Sequence, residues 1–263
     1  SSFKSNLKNI SLARFVPFAW YNDLIFFTSC LLSISPCKVS GTEVKKEFLN
    51  LDKKPDIVLS TSLSKRDDIL ESWAKDRELN FYRGSEHDVL DRYYQTAKLF
   101  QADLIIRITA DDPLKDHEIL EKALRFFQNN ECLDYCSNTI NPTYPEGLDV
   151  EVFKFSALEK AWNEAKLESE REHVTPYIWK NDNIFKIKNF TFENDLSKWR
   201  WTVDNPEDYE FMQEVFKQSS FERTVSYKKV IKFLKENKRL MDINHGFLRN
   251  EGYLQSINKE KDE

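Results

Sequence analysis

The sequence has little of what several function classes require. It holds only four cysteines, Cys30, Cys37, Cys132 and Cys136. Cys132 and Cys136 lie four apart, but no second close pair and no spaced histidine pair completes a zinc site. Reduced thiols in a cytoplasmic protein are expected. Positive charge is not in excess: the formal net charge is −5. That argues against a broad nucleic-acid face, yet a few local Arg and Lys suffice to hold a small anion. No membrane-length apolar run is uninterrupted. "FVPFAWYNDLIFFTSCLLSI" is broken by Pro17, Asn22 and Asp23 and lacks a basic leader with a cleavage site, so a core helix is expected there rather than a span or a secretory signal. No internal repeat is visible, and low complexity is confined to the tail "INKEKDE".

What is present is enough for a packed core. Over 263 residues, 40% are hydrophobic and 32% charged, which suits one large α/β domain or two small ones. Apolar runs alternate with helical spacing. "DIVLSTS" reads as a buried strand, "KRDDILESWAKDREL" as a helix, "FYRGS" as a short strand, "EHDVLDRYYQTAKLFQ" as a helix, "DLIIRIT" as a strand and "DHEILEKALRFFQNN" as a helix. Such alternation predicts a mostly parallel sheet flanked by helices, with ligands beyond the carboxyl ends of its strands. After Asn130 the texture shifts. "LDYCSN" and "LDVEVFKF" suggest an antiparallel excursion over about residues 134–190. "FKIKNFTFE" and "KWRWTVD" read as further strands, and "SALEKAWNEAKLE" as a helix capped at Ser156. "NPEDYEFMQEVFKQ" reads as a helix with Asn205 as cap, and "SYKKVIKFLKENKRLMDIN" as the helix that closes the fold.

Several positions carry candidate chemistry. Asp111 and Asp112 sit where "DLIIRIT" ends. Two like charges there are costly without a positive partner. An oxygen-liganded Mg²⁺ would suit Asp111; a solvated Asp-Pro turn is the plain alternative for the pair. Asp204 ends "WRWTVD" in the same way, as a second cation ligand or as a helix cap. In "SEREHVTPY", Ser169 and Glu172 have capping-box spacing, while Arg171 and His173 suit either an acidic substrate or a structural ion pair. In "YPEGLDVEVF", Asp149 and Glu151 share a strand face, either solvated or facing substrate. Arg83, Arg92 and Arg107 suit phosphate or base contacts, or surface ion pairs.

Five blocks then occur in order: "YRGSEHDVLDRYYQTAKLFQADLIIRITADDPLKDHEI", "YPEGLDVEVF", "SEREHVTPYI", "WRWTVDNPEDYEF" and "RNEGYLQS". Over about residues 56–256 they resemble the cytidylyltransferase family typified by the spore-coat polysaccharide biosynthesis protein SpsF, related to the acylneuraminate and keto-deoxyoctulosonate cytidylyltransferases. The resemblance implies a Rossmann-like nucleotide-diphospho-sugar transferase fold as a single domain over 1–256, with a charged tail at 257–263. It implies transfer of CMP from CTP to an acidic sugar of a surface polysaccharide, with release of pyrophosphate and use of Mg²⁺. Asp111 matches the aspartate of the family's Gly-Asp-x-Pro-Leu block, with Ala110 in the glycine's place. Asp204 matches that of the Asp-x-Pro-Glu-Asp block, so both are implied metal ligands and catalytic residues. Ser85 and Arg92 fall in the block near the nucleotide. Tyr144, Glu146, Asp149, Glu151, Arg171 and His173 would line the sugar side. CTP and a sugar are the implied partners, with no nucleic acid, no membrane, and a homodimer through residues 140–180 as an option.

The opening departs from the family. Relatives carry a central first strand and then Ala-Arg-x-x-Ser-x-Arg-Leu-x-x-Lys-x-Leu around the triphosphate. This chain reads "SSFKSNLKNISLA". Ser5 fits that loop and Lys8 offers a nearby cation, but Ile10 takes the lysine's place, and the strand and both arginines have no counterpart. A missing central strand would leave neighbouring edges unpaired. Three readings follow: an active sugar cytidylyltransferase, a catalytically impaired relative that binds nucleotide or sugar or serves as a partner subunit, and a GT-A-like glycosyltransferase.

Overall fold

A computed structural model describes residues 30–33, 56–219 and 225–262. Among these residues seven strands form one sheet in the order β3-β2-β1-β4-β6-β5-β7. They are β1 (Cys30–Ser33), β2 (Asp56–Ser62), β3 (Asn80–Gly84), β4 (Leu104–Ile108), β5 (Tyr135–Ser137), β6 (Glu151–Lys154) and β7 (Ile187–Asn189). The pairings give β2, β3, β4, β5 and β7 one direction and β1 and β6 the other. The expected α/β sheet with an antiparallel excursion is therefore present. One edge gathers the ends of β2, β3, β4 and β5 together with the start of β6.

Two sequence expectations change at β1. The apolar segment read as a core helix contributes a strand at Cys30–Ser33. The central place is also not open: β1 pairs with both β2 and β4, which satisfies the backbone edges that an empty place would strand. It does so antiparallel to both neighbours.

Side chains alternate across the sheet with the two-residue period of strands. Ile57, Leu59, Ile106, Cys136 and Val152 enter one core. Val58, Ile105, Tyr135 and Phe153 enter the other. The first core is covered by α1 (Asp68–Asp76), α3 (His117–Gln128), α7 (Pro206–Ser219) and α8 (Tyr227–Glu236), and the second by α2 (Val89–Leu99) and α4 (Phe155–Glu164). Local signals fix the helix starts. Asp88 accepts from the Asp91 amide at 2.9 Å to cap α2, and Asp116 accepts from the Glu118 amide at 2.7 Å to cap α3. Asp116 also accepts from the Tyr227 amide at 2.6 Å, which ties α8 to α3.

Other local expectations fail for identifiable reasons. α4 begins with Lys154 at its N-cap and no side-chain cap, so Ser156 lies inside the helix. α5 (Glu168–His173) begins after Leu167, and its Glu170 accepts from the Leu167 amide at 3.4 Å, while Ser169 donates its hydroxyl to Glu260 at 3.0 Å. The Ser169–Glu172 capping box does not form. The closing helix stops at Glu236 and gives way to a 3₁₀ turn at Lys238–Asp242. After α6 (Pro176–Lys180), the last helix among the described residues is α9 (Glu251–Asp262), and residues 257–262 of the expected tail continue it. No described helix is long and apolar enough to cross a membrane.

"KWRWTVD" forms no ladder strand. Its backbone groups are spent elsewhere. The Glu146 amide donates to the Trp199 carbonyl at 2.9 Å, Trp201 to Glu146 at 2.7 Å, and Val203 to Asp111 at 2.8 Å. The segment therefore stitches the 144–148 turn to the end of β4. Gly147 makes this approach possible. Its φ is +101°, and an added Cβ would lie 2.7 Å from the Trp201 carbonyl carbon. Gly147→Ala is expected to cost about 1–3 kcal/mol of stability, from left-handed strain and a backbone clash. Urea unfolding checks it, and a cost below 0.5 kcal/mol would show that the stitch tolerates displacement.

Candidate active site

At the carboxyl edge, Asp111 and Asp112 part company. Asp112 is buried. It accepts from the Thr109 hydroxyl at 2.8 Å and from Lys115 Nζ at 2.7 Å. Lys115 is the positive partner that the sequence reading lacked, and the reading of Asp112 as a solvated turn residue is corrected. Lys115 also donates to the Asp149 carbonyl at 2.6 Å, which locks the turn after β4 to the approach of β6.

Asp111 remains open to solvent, with protein atoms packed around it. That crowding pushes its carboxyl up to about 7, and the Asp112 and Asp204 charges add to the push. Asp204 is likewise raised by crowding, with Arg200 pulling against it. The Val203 amide bond to the Asp111 carbonyl brings the two aspartates' segments together. Two solvent-accessible carboxylates, near enough for the Asp204 charge to act on Asp111, thus come to the carboxyl edge from distant parts of the chain.

A buried cluster stands behind Asp204. Arg200 donates from Nε to Asp208 Oδ1, from Nη1 to Glu146 Oε2 and from Nη2 to Asp204 Oδ2, each at 2.8 Å. Burial opposes this guanidinium charge, but Asp208 and Glu146 outweigh it, and the arginine's pKa lies above its ordinary value. Asp208 is fully buried. It also accepts from the Asp204 and Asn205 amides at 3.1 and 3.0 Å, which ties the two residues just before α7 to its first turn.

The other sugar-side candidates are satisfied by the protein itself. Glu146 accepts from the Asn250 amide at 2.8 Å. Asp149 pairs with Arg249; burial raises its carboxyl to about 6, with Arg249 pulling the other way. Glu151 pairs with Arg107 and accepts from the Tyr135 hydroxyl at 2.6 Å and from the Thr175 hydroxyl. The solvated-face reading of Asp149 and Glu151 is thereby corrected. The buried Tyr144 hydroxyl accepts from Lys122 at 2.7 Å, and burial pushes its pKa up to about 12.

Arg171 and His173 find partners away from the aspartates. Arg171 forms an ion pair with Asp88 at 2.5 Å, the structural alternative of the sequence reading. His173 lies 3.1 Å from the Ser256 hydroxyl and edge-on to Tyr253. Ser85 and Arg92 build the β3–α2 turn: the Ser85 hydroxyl accepts from the Asp88 amide and its carbonyl from Arg92, both at 2.9 Å. Arg83 donates to Asp68 and Glu71, each at 2.8 Å. Ser5 and Lys8 lie outside the described residues.

Sequence reasoning missed Lys115, Arg200, Asp208 and Arg249. The available signal was charge balance: "YPEGLDVEVF" holds three carboxylates and no cation, more than the fold can bury without cations nearby. The donor set that remains for a cation is small. Among the described residues no group of three or more Asp, Glu, His or Cys could hold a metal ion. Asp111 and Asp204 fit a hard cation that takes one or two carboxylates and completes its shell with phosphate and water, as Mg²⁺ does.

Comparison with known proteins agrees with this geometry. An uncharacterized protein of Methanocaldococcus jannaschii is 38% identical over 206 residues, covering 77% of this chain and 82% of the relative. The spore coat polysaccharide biosynthesis protein SpsF of Bacillus subtilis is 27% identical over 195 residues, covering 70% and 76%. A solved cytidylyltransferase from Leptospira borgpetersenii aligns with a TM-score of 0.68 at 34% identity, covering 73% of this chain and 80% of that one. The model of the cytidylyltransferase family matches residues 44–243, which contain both aspartates and the cluster behind them. By its sequence over that span and by its fold, the chain belongs to the cytidylyltransferase family of nucleotidyltransferases.

Proposed function

We propose that the protein transfers CMP from CTP to an acidic sugar, releasing pyrophosphate, for the synthesis of a surface polysaccharide. The observation that carries this reading is the meeting of Asp111 and Asp204, both accessible, at the carboxyl edge of a cytidylyltransferase sheet. The name of the Bacillus relative supports polysaccharide synthesis as the setting. In the reaction a sugar oxygen forms a bond to the α-phosphorus, the bridge to the β-phosphate breaks, and the hydroxyl proton is released. Asp111 and Asp204 would hold Mg²⁺, which when bound neutralises phosphate charge and aligns the attack. The protein's share is positioning. The Asp112–Lys115 pair fixes the turn that bears Asp111, and the Arg249–Asp149 pair closes the 144–149 turn beside it. Incubation with CTP and a panel of acidic sugars, read by phosphorus NMR, tests the reading. A CMP-sugar with equimolar pyrophosphate is expected. CTP binding without turnover on any sugar would favour the impaired-relative reading.

The raised Asp111 carboxyl sets a pH dependence. Its ordinary value is 3.8 and its folded value about 7, so between these the folded protein binds more protons than the unfolded chain. This group's contribution to stability is thus full below about 4 and lost as pH rises through about 7. A cation needs the deprotonated pair, so Mg²⁺ should raise Tm more at pH 8 than at pH 5.5. Thermal unfolding with and without Mg²⁺ at the two pH values checks this, and equal shifts would contradict it.

A further inference from the structure

We propose that Arg200 is a positioning residue for the cation site, acting through Asp204. The proposal rests on the reading of Asp111 and Asp204 as cation ligands. The Asp204 side chain is 46% exposed, whereas that of Arg200 is 5% exposed and that of Asp208 fully buried. Rigidity therefore runs outward from Asp208. Its carboxylate takes both Nε and Nη2 of Arg200, at 2.8 and 3.0 Å, in a two-pronged fit that sets the plane of the guanidinium. Asn244 holds Asp208 from behind at 2.9 Å and the Arg200 carbonyl at 3.0 Å. Phe247 lies against the guanidinium, with its ring centroid 5.5 Å away. From this frame Nη2 reaches Asp204 Oδ2 at 2.8 Å, and the Thr202 hydroxyl lies 3.4 Å from the same oxygen. Oδ1 accepts no hydrogen bond among the described residues. One oxygen is tethered and the other left to ligate.

Charge and geometry make opposite predictions here. As a nearby positive charge, Arg200 competes with a cation, so its loss should tighten metal binding. As a tether, it holds an exposed carboxylate in one rotamer, so its loss should weaken binding. Partly exposed ion pairs contribute little through charge alone, whereas hydrogen-bonding partners of metal ligands typically govern affinity by 10–100-fold. Geometry is expected to win.

Arg200→Lys separates the two, because it keeps the charge and removes the planar fork. The readout is the Mn²⁺ dissociation constant with CTP present, followed by electron paramagnetic resonance on protein shown to be folded by circular dichroism. Arg200→Lys is expected to weaken Mn²⁺ binding by about tenfold or more, and to raise the KM for Mg²⁺ more than it lowers kcat. In an Asp204→Asn background the same substitution should add less than about twofold, since the tether then has nothing to hold. Asp208→Asn, which keeps the arginine and loosens its anchor, should give the same direction of change and answers the question if Arg200→Lys does not fold. Wild-type Mn²⁺ affinity in a folded Arg200→Lys or Asp208→Asn protein overturns the proposal, as does a full loss that persists in the Asp204→Asn background. If Asp111→Asn binds Mn²⁺ as wild type does, the cation reading itself falls, and the tether with it.

Discussion

Arg107→Met is expected to lower folding stability by about 3–5 kcal/mol, the cost of stranding a buried charge. Arg107 on β4 stands directly opposite Glu151 on β6 in the ladder, and the Glu151 residue is only 6% exposed. The carboxylate accepts from Arg107, Tyr135 and Thr175. Burial opposes the Arg107 charge, but the Glu151 charge outweighs it and lifts the arginine's pKa above its ordinary value. Burial first, and then Glu151, raises the Tyr135 pKa well above 10, so Tyr135 stays a hydrogen-bond donor. Methionine keeps much of the apolar stem but leaves the carboxylate two neutral hydroxyls in place of a cation. The double variant Arg107→Met/Glu151→Gln should be more stable than Arg107→Met alone, because the stranded charge is gone. Arg107 Nε has no hydrogen-bond partner among the described residues, and a donor left so in the pair further favours its joint removal. Urea unfolding of the wild type, the single variant and the double variant decides the matter. A single variant within 1 kcal/mol of wild type would show that solvent reaches Glu151.

Asp111→Asn should act in the opposite sense on stability and strongly on activity. At saturating CTP it is expected to slow CMP transfer at least about tenfold, or about 1.4 kcal/mol of barrier, because asparagine is a poor ligand for a hard cation. Without Mg²⁺ at pH 8 the same variant should unfold at a higher temperature than wild type, since it removes a carboxylate crowded by protein and repelled by Asp112 and Asp204. A residue kept for function at a cost in stability behaves this way. A slow but destabilised variant would instead mark Asp111 as structural, and an unchanged rate of pyrophosphate release would remove it from the site.

The legible part of this protein was local. Apolar runs and helical spacing located β2, β3 and β4 and the helices between them, because burial on both faces of a sheet writes itself into consecutive residues. Asp111 was legible because a carboxylate pair at a strand end poses an energetic question on its own. The unread part was long-range. Arg107 meets Glu151 across 44 positions, Glu146 meets Arg200 across 54, and Asp149 meets Arg249 across 100. No spacing rule pairs such residues, so carboxylates that read as substrate contacts are engaged by the protein's own arginines. "KWRWTVD" alternates like a strand, yet its backbone bonds go to the 144–148 turn and to Asp111. Strand direction was equally silent: β1 fills the central place but runs against its neighbours, and nothing in four residues records which way a strand enters a sheet.

The most direct test is pyrophosphate release from CTP in the presence of acidic sugars, measured first in EDTA, then after addition of Mg²⁺, for the wild-type protein and Asp111→Asn side by side. The account predicts release that depends on both a sugar and Mg²⁺ in the wild type, and at least about a tenfold lower rate in the variant. Release that survives EDTA, or that is equal in the two proteins, would contradict it.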